Sequence, residues 1–204
     1  NDGVFDEFGL YDTVIHDFLL AGTYTIRITG GYASIRFAWG GDAGKITSID
    51  QWGTHSWSSM NQAFTGAWNM TVPAADTPDF SAVSDMSYMF ADNSIANPNT
   101  TDWDTSTVSD FSYMFYYAYS ANPDTSIWDT SSATSMAWMF TYAIAADPDT
   151  SGWDTSLVKN MSGMFYHAES ATPDTGSWDT SAVNYMDQMF YRAYAANPDT
   201  GSWD

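Results

Sequence analysis

Carboxylates recur along this chain at a constant interval. Asp124, Asp149, Asp174 and Asp199 stand 25 residues apart, and Asp104, Asp129, Asp154, Asp179 and Asp204 repeat at the same spacing. If each interval is one rung of a stack, neighbouring carboxylates approach to about 5 Å and repel by on the order of 1 kcal/mol per pair in water. Something must offset that repulsion. One chemistry is a calcium ion held between rungs by carboxylate and threonine oxygens, which makes Asp124, Asp149, Asp174 and Asp199 candidate metal ligands. No D-x-D-x-D-G loop accompanies them. The favoured expectation is structural: each side chain accepts backbone N–H groups in an Asx-turn or at a helix start. No other cofactor is implied.

Two further rows carry polar or aromatic chemistry. Thr125, Thr150, Thr175 and Thr200 form a hydroxyl row at the same period. It resembles the regular hydroxyl rows of ice-binding faces, although threonine is also an ordinary strand residue on a solvated face. Tyr117, Tyr142, His167 and Arg192 share one position of successive units. With Tyr116, Tyr166 and Tyr191 beside them they predict an outward, tyrosine-rich stripe. These two rows are the candidate contact surface. The tryptophans described below are expected to be buried with the Met-Phe rows, and an exposed row of them would instead suit carbohydrate stacking.

Catalysis finds little support. The three histidines, His16, His55 and His167, lie far apart in sequence, no cysteine is present, and no serine stands in a G-x-S-x-G context. The chain is read as no enzyme. Five Lys plus Arg against 25 Asp plus Glu give a formal net charge of −20. That balance disfavours nucleic acid and anionic membrane surfaces as partners. High charge alone suggests disorder, but 17% aromatic residues supply enough material for a core.

These rows must be positioned by a repeat. Trp103, Trp128, Trp153, Trp178 and Trp203 recur every 25 residues, and the complete units 103–127, 128–152, 153–177 and 178–202 share W-D-T-S-x-[VA]-x-x-[MF]-x-x-M-F-x-x-A-x-x-A-x-P-D-T. Regularity of this period signals a stack of units, each too small to bury its own apolar face. Val108, Phe111, Met114, Phe115 and Ala118 have offsets of 0, 3, 6, 7 and 10, which fit one helix face. The spacing predicts a short helix over 106–118 with Thr105 or Ser106 as its cap. A short strand is expected over 121–127, pairing in parallel from unit to unit. Strands on one side and helices on the other predict a curved α/β solenoid of about six units, the first two degenerate, over residues 45–204.

The N-terminal part reads differently. Residues 23–29 and 32–39 alternate apolar and polar around Gly30-Gly31 and predict a hairpin. With Val4-Phe5 and Val14-Ile15 as further strand candidates, residues 1–44 are expected to form a β-rich cap.

Two resemblances follow from these motifs. The units W-D-T-S-x-V-x-x-M-x-x-M-F-x-x-A, opened by Ile46-Thr-Ser-Ile-Asp-Gln-Trp-Gly-Thr, resemble the repeats of BspA-like leucine-rich-repeat surface proteins over residues 45–204. Asn1-Asp2-Gly3, His16-Asp17-Phe18 and Ala21-Gly-Thr-Tyr-Thr-Ile26 resemble the second half of a polycystic-kidney-disease-type immunoglobulin-like domain. The small Ala121, Ala146, Ala171 and Ala196 depart from the repeat family, which often has a large apolar residue there. The first resemblance implies an extracellular, surface-displayed protein for adhesion, binding a protein or glycan through its repeat array. Its signal and anchor are expected outside this sequence. The alternative is a structural subunit that self-assembles into a fibre or layer, and a lesser one is an ice-binding or calcium-stabilised segment.

Overall fold

The computed structural model describes residues 22–26, 28 and 34–203. The chain divides into two compact units, Asn1–Tyr32 and Ala33–Asp204. In the first, residues 22–26 and 28 are exposed apart from the half-buried Tyr24. The strand candidates at residues 4–5 and 14–15, His16 and the Gly30-Gly31 turn lie outside the described residues.

The second unit is a stack of 25-residue coils built from turns. No α-helix and no multi-residue strand occurs among the described residues; the one helical element is a 3₁₀ turn, Ala43–Lys45. The expected α/β solenoid of short helices and strands is therefore overturned.

The hydrogen bonds of 111–118 give the reason. The amides of Phe111, Tyr113, Phe115 and Tyr117 donate to the carbonyls of Ser135, Ala137, Met139 and Thr141 in the next coil, at 3.0, 2.9, 2.9 and 2.8 Å. Those of Met114, Tyr116 and Ala118 donate three residues back, to Phe111, Tyr113 and Phe115, at 3.2, 3.1 and 3.0 Å. A helix would send every amide four residues back. Here alternate amides serve the neighbouring coil, and alternate amides close β-turns. Tyr113 and Tyr117 sit in the left-handed region, with φ of 60° and 56°, which no right-handed helix admits. The apolar spacing therefore marks inward corners of successive turns rather than one face of a helix.

Those corners cost energy. A non-glycine residue in the left-handed region is strained by about 1–3 kcal/mol. The coils offset this by burying Val108, Phe111, Met114, Phe115 and Ala118 and their copies up to Ala168 almost completely, while Val183, Met186 and Phe190 of the last coil are only partly buried. Large apolar side chains contribute about 1.5–3 kcal/mol each on full burial. The phenylalanines form one continuous column, with Phe90, Phe115, Phe140, Phe165 and Phe190 stacked at 5.8, 5.6, 5.7 and 5.6 Å. Trp103, Trp128, Trp153 and Trp178 are buried beside them, and Trp203 is half-buried. Trp153–Trp178 and Trp178–Trp203 stack at 6.3 and 6.2 Å. The tryptophan row thus belongs to the core, and a sugar-stacking tryptophan face is corrected.

The expected strand over 121–127 is also absent. Its coils are linked by side chains instead. The Oγ1 hydroxyls of Thr100, Thr125, Thr150 and Thr175 donate to the carbonyls of Asp124, Asp149, Asp174 and Asp199, at 2.6, 2.7, 2.7 and 2.8 Å. Parallel pairing survives as single bridges, Asp85–Asp110–Ser135–Asn160–Tyr185. The stack also reaches further toward the N-terminus than residue 45. Ser34 is bridged in parallel to Ser59, and the Phe37 amide donates to Gln62 and Ala63 at 3.3 and 3.2 Å. A β-rich cap is not formed by the described residues of this segment.

Candidate contact face

The left-handed corners recur at two positions of each coil and carry half-buried or exposed side chains on the surface of the stack. The first corner is occupied by Tyr88, Tyr113, Trp138, Gly163 and Gln188 in turn, with φ of 58°, 60°, 59°, 59° and 58°. The second holds Asp92, Tyr117, Tyr142, His167 and Arg192, at 55°, 56°, 57°, 56° and 58°. Coils in register place equivalent rings one above the other. Tyr88 and Tyr113 stack at 4.4 Å and 4°, Tyr117 and Tyr142 at 4.5 Å and 16°, and Tyr142 and His167 at 4.4 Å and 12°.

Residues between the corners join the columns. Tyr116 lies 5.4 Å from Tyr113 and 4.5 Å from Tyr117, and Tyr166 lies 5.0 Å from Tyr191. At the end of the face the Arg192 guanidinium rests 5.4 Å from the Tyr191 ring centre, a cation–π contact. Trp39 closes the other end, 5.4 Å from Tyr88, with its indole N–H donating to Asp92. Most of these rings are half-buried. Burial, and then the neighbouring Tyr117, push the Tyr116 phenol up to about 12, so it stays protonated.

The predicted Tyr117, Tyr142, His167 and Arg192 row is thus brought together, on turns instead of a helix. Tyr88, Tyr113 and Trp138 were missed by the sequence reading. Their signal was available, because an aromatic residue precedes Met-Phe in three successive units.

The threonine row turns inward. Thr125 and Thr175 are 1% exposed and Thr150 is 0% exposed, with their hydroxyls consumed by the next coil. Only Thr200, in the last described coil, is exposed. These threonines are corrected from contact face to inter-coil ladder, and the ice-binding reading loses its hydroxyl row.

The aspartates adopt Asx-turns. Oδ1 of Asp124 accepts the Ser126 amide at 3.0 Å and its hydroxyl at 2.6 Å; Asp149 accepts those of Ser151 at 3.0 and 2.7 Å. Asp174 and Asp199 accept the amides of Gly176 and Gly201, at 3.2 and 2.9 Å. The serine hydroxyl and then the serine amide hold the carboxyls of Asp124 and Asp149 below the usual aspartate range. For Asp124 the like charge of Asp149 acts the other way and is a smaller influence, so hydrogen bonding outweighs the repulsion between rungs. A shallow depression of about 260 Å³ is lined by Asp147, Asp149 and Asp174 with Pro148, Thr150 and Thr172. Asp147 is itself engaged there, accepting the Thr172 amide and hydroxyl at 2.8 Å each. Among the described residues no three His, Asp or Glu side chains are grouped so that they could hold a metal ion. His55 packs edge-on against Trp57 at 4.9 Å, remote in sequence from the aromatic columns.

No curated protein matches this chain, and no solved structure does. A protein-family model described as "Mycoplasma protein of unknown function, DUF285" matches residues 36–152 and again 120–204. The two matches together cover residues 36–204, well over half of the chain, and the chain belongs to the DUF285 family.

Proposed function

We propose that this chain is a non-enzymatic binding module displayed at a cell surface, taking a protein or glycan ligand on the aromatic face of its repeat stack. The observation that carries this is the pair of half-exposed ring columns at the left-handed corners. Rings stacked along the column spend their faces on each other. What remains for a partner is ring edge and, at tyrosine, the phenolic hydroxyl, which both donates and accepts. Such edges suit hydrogen bonding to a polar ligand more than flat stacking on a sugar ring. Tyrosine is also enriched at interface centres because it offers large contact area with few rotatable bonds. The resemblance of the units to BspA-like surface proteins supports display outside the cell. A net charge of −20 favours a partner with basic character and disfavours nucleic acid.

The test is binding of the chain to arrayed glycans and to immobilised extracellular-matrix proteins, repeated with Tyr117→Ala/Tyr142→Ala. Truncating two central contact residues should weaken binding by about tenfold or more. Undiminished binding by the double variant would remove the aromatic face from the proposal. Ordered polymers in electron microscopy at physiological salt, in place of monomers, would favour a self-assembling subunit instead.

A further inference from the structure

We propose that the stacked pair Tyr117–Tyr142 is a site of oxidative dityrosine formation, a covalent staple between adjacent coils of a chain that has no cysteine. The ring centres lie 4.5 Å apart at 16°, and both residues are half-buried. The backbone holds them there. The Tyr117 amide donates to Thr141 at 2.8 Å and the Tyr142 amide to Tyr166 at 2.9 Å, so their coils are locked in register. Tyr88 and Tyr113, at 4.4 Å and 4°, form a second such pair.

The chemistry balances with a peroxide oxidant. Each phenol gives up one electron and one proton to become a tyrosyl radical. The two radicals join through ring carbons ortho to oxygen, forming one C–C bond. The hydrogen on each joined carbon then moves to its oxygen, restoring two phenols. One hydrogen peroxide accepts the two electrons and two protons and leaves as two waters.

The sulfur sinks around the pair are withdrawn in this fold. The chain holds no thiol. The methionine thioethers of Met114, Met136, Met139, Met161 and Met164 are buried at 0–1% exposure. Two phenols fixed one above the other react at an effective concentration far above that of separate chains at micromolar levels. The charge of −20 on each chain further discourages coupling between copies.

The experiment treats the full chain at micromolar concentration with a haem peroxidase and hydrogen peroxide. Dityrosine fluorescence, intact mass and peptide mapping are then read for the folded chain and for the chain unfolded in urea. The expected product is a monomer lighter by two hydrogens per link, with the peptide containing Tyr117 joined to the one containing Tyr142. Its yield should be several-fold higher from the folded chain. Tyr117→Phe and Tyr142→Phe should each abolish that joined peptide while leaving a Tyr88–Tyr113 link intact, and the linked wild type should melt at a higher temperature. Dityrosine found only in covalent oligomers, or formed equally well in urea, would overturn the proposal. So would oxidation of the folded chain with no joined peptide. This outcome is independent of whether any ligand binds the aromatic face.

Discussion

At the scale of single residues, the repeat makes its own controls. Asn93 is completely buried, and neither its amide nitrogen nor its amide oxygen has a hydrogen-bond partner. The equivalent residues 25, 50, 75 and 100 positions later are Ala118, Ala143, Ala168 and Ala193, all buried. A buried amide without partners costs about 1–3 kcal/mol, and its sister coils close over alanine. Asn93→Ala is therefore expected to raise stability by roughly 1–2 kcal/mol in urea unfolding, the desolvation gain less a small cavity cost. A loss of stability would mean that the amide does work in the core that the contacts do not reveal. The indole nitrogens of Trp57, Trp128, Trp153 and Trp178 are likewise buried without partners. Each stays buried because the apolar ring area outweighs one lost hydrogen bond.

At the scale of the element, the coil is held by two kinds of ladder, and they differ in burial. Thr150 Oγ1 donates to the Asp174 carbonyl at 2.7 Å from a fully buried position. Thr134 Oγ1 donates to the Ser109 carbonyl at 3.0 Å on an exposed side chain. Replacing either by valine keeps the shape and removes the donor. Thr150→Val should cost about 1–3 kcal/mol because no water replaces the bond inside. Thr134→Val should stay within about 0.5 kcal/mol. Chemical denaturation of the two variants separates them, and equal costs would refute the inward ladder. The same element shows what a period does and does not say. Offsets of 0, 3, 6, 7 and 10 name the buried residues Val108, Phe111, Met114, Phe115 and Ala118 correctly, since any closed coil must bury the apolar set. They misname the backbone. A helix and a run of turns bring similar spacings inward, and the choice between them was made by amides that reach 24 residues ahead.

At the scale of the whole molecule, stability should be governed by the carboxylates in two opposing ways. A net charge of −20 repels itself, and the Debye length is about 30 Å at 0.01 M salt but about 8 Å at 0.15 M. The melting temperature at pH 7 should therefore rise from 0.01 M to 0.15 M NaCl. Acid acts on the Asx-turns. Asp124, Asp129 and Asp149 are held below the ordinary aspartate value chiefly by serine hydroxyls and then serine amides. A depressed folded value stabilises the native state above the unfolded pKa of about 3.9, and that stability is lost as pH falls through the folded value. At 0.15 M NaCl, where repulsion is screened, the melting temperature should hold from pH 7 to about pH 5 and fall below about pH 4. Thermal melts over this grid check both limbs. Rising stability on acidification at 0.15 M would show that repulsion, not the turn bonds, dominates the rows. Millimolar calcium, compared with sodium chloride of equal ionic strength, should give the same shift, since the row carboxylates already serve the backbone.

The 25-residue period, the buried Met-Phe and tryptophan rows, the turn role of the aspartates and the shared position of Tyr117, Tyr142, His167 and Arg192 were all readable from residue types and spacing. Each follows from chain-local physics: apolar side chains must leave water, and Asp before a small residue closes a turn. Three things waited for the tertiary structure. The left-handed corners at Tyr113 and Tyr117 are conformations that neither residue prefers, and only the register between coils enforces them. The inward turn of Thr125, Thr150 and Thr175 depends on a carbonyl 24 residues away. The stacking of rings into columns requires neighbouring coils to be superposed, a relation between distant segments that no local pattern contains.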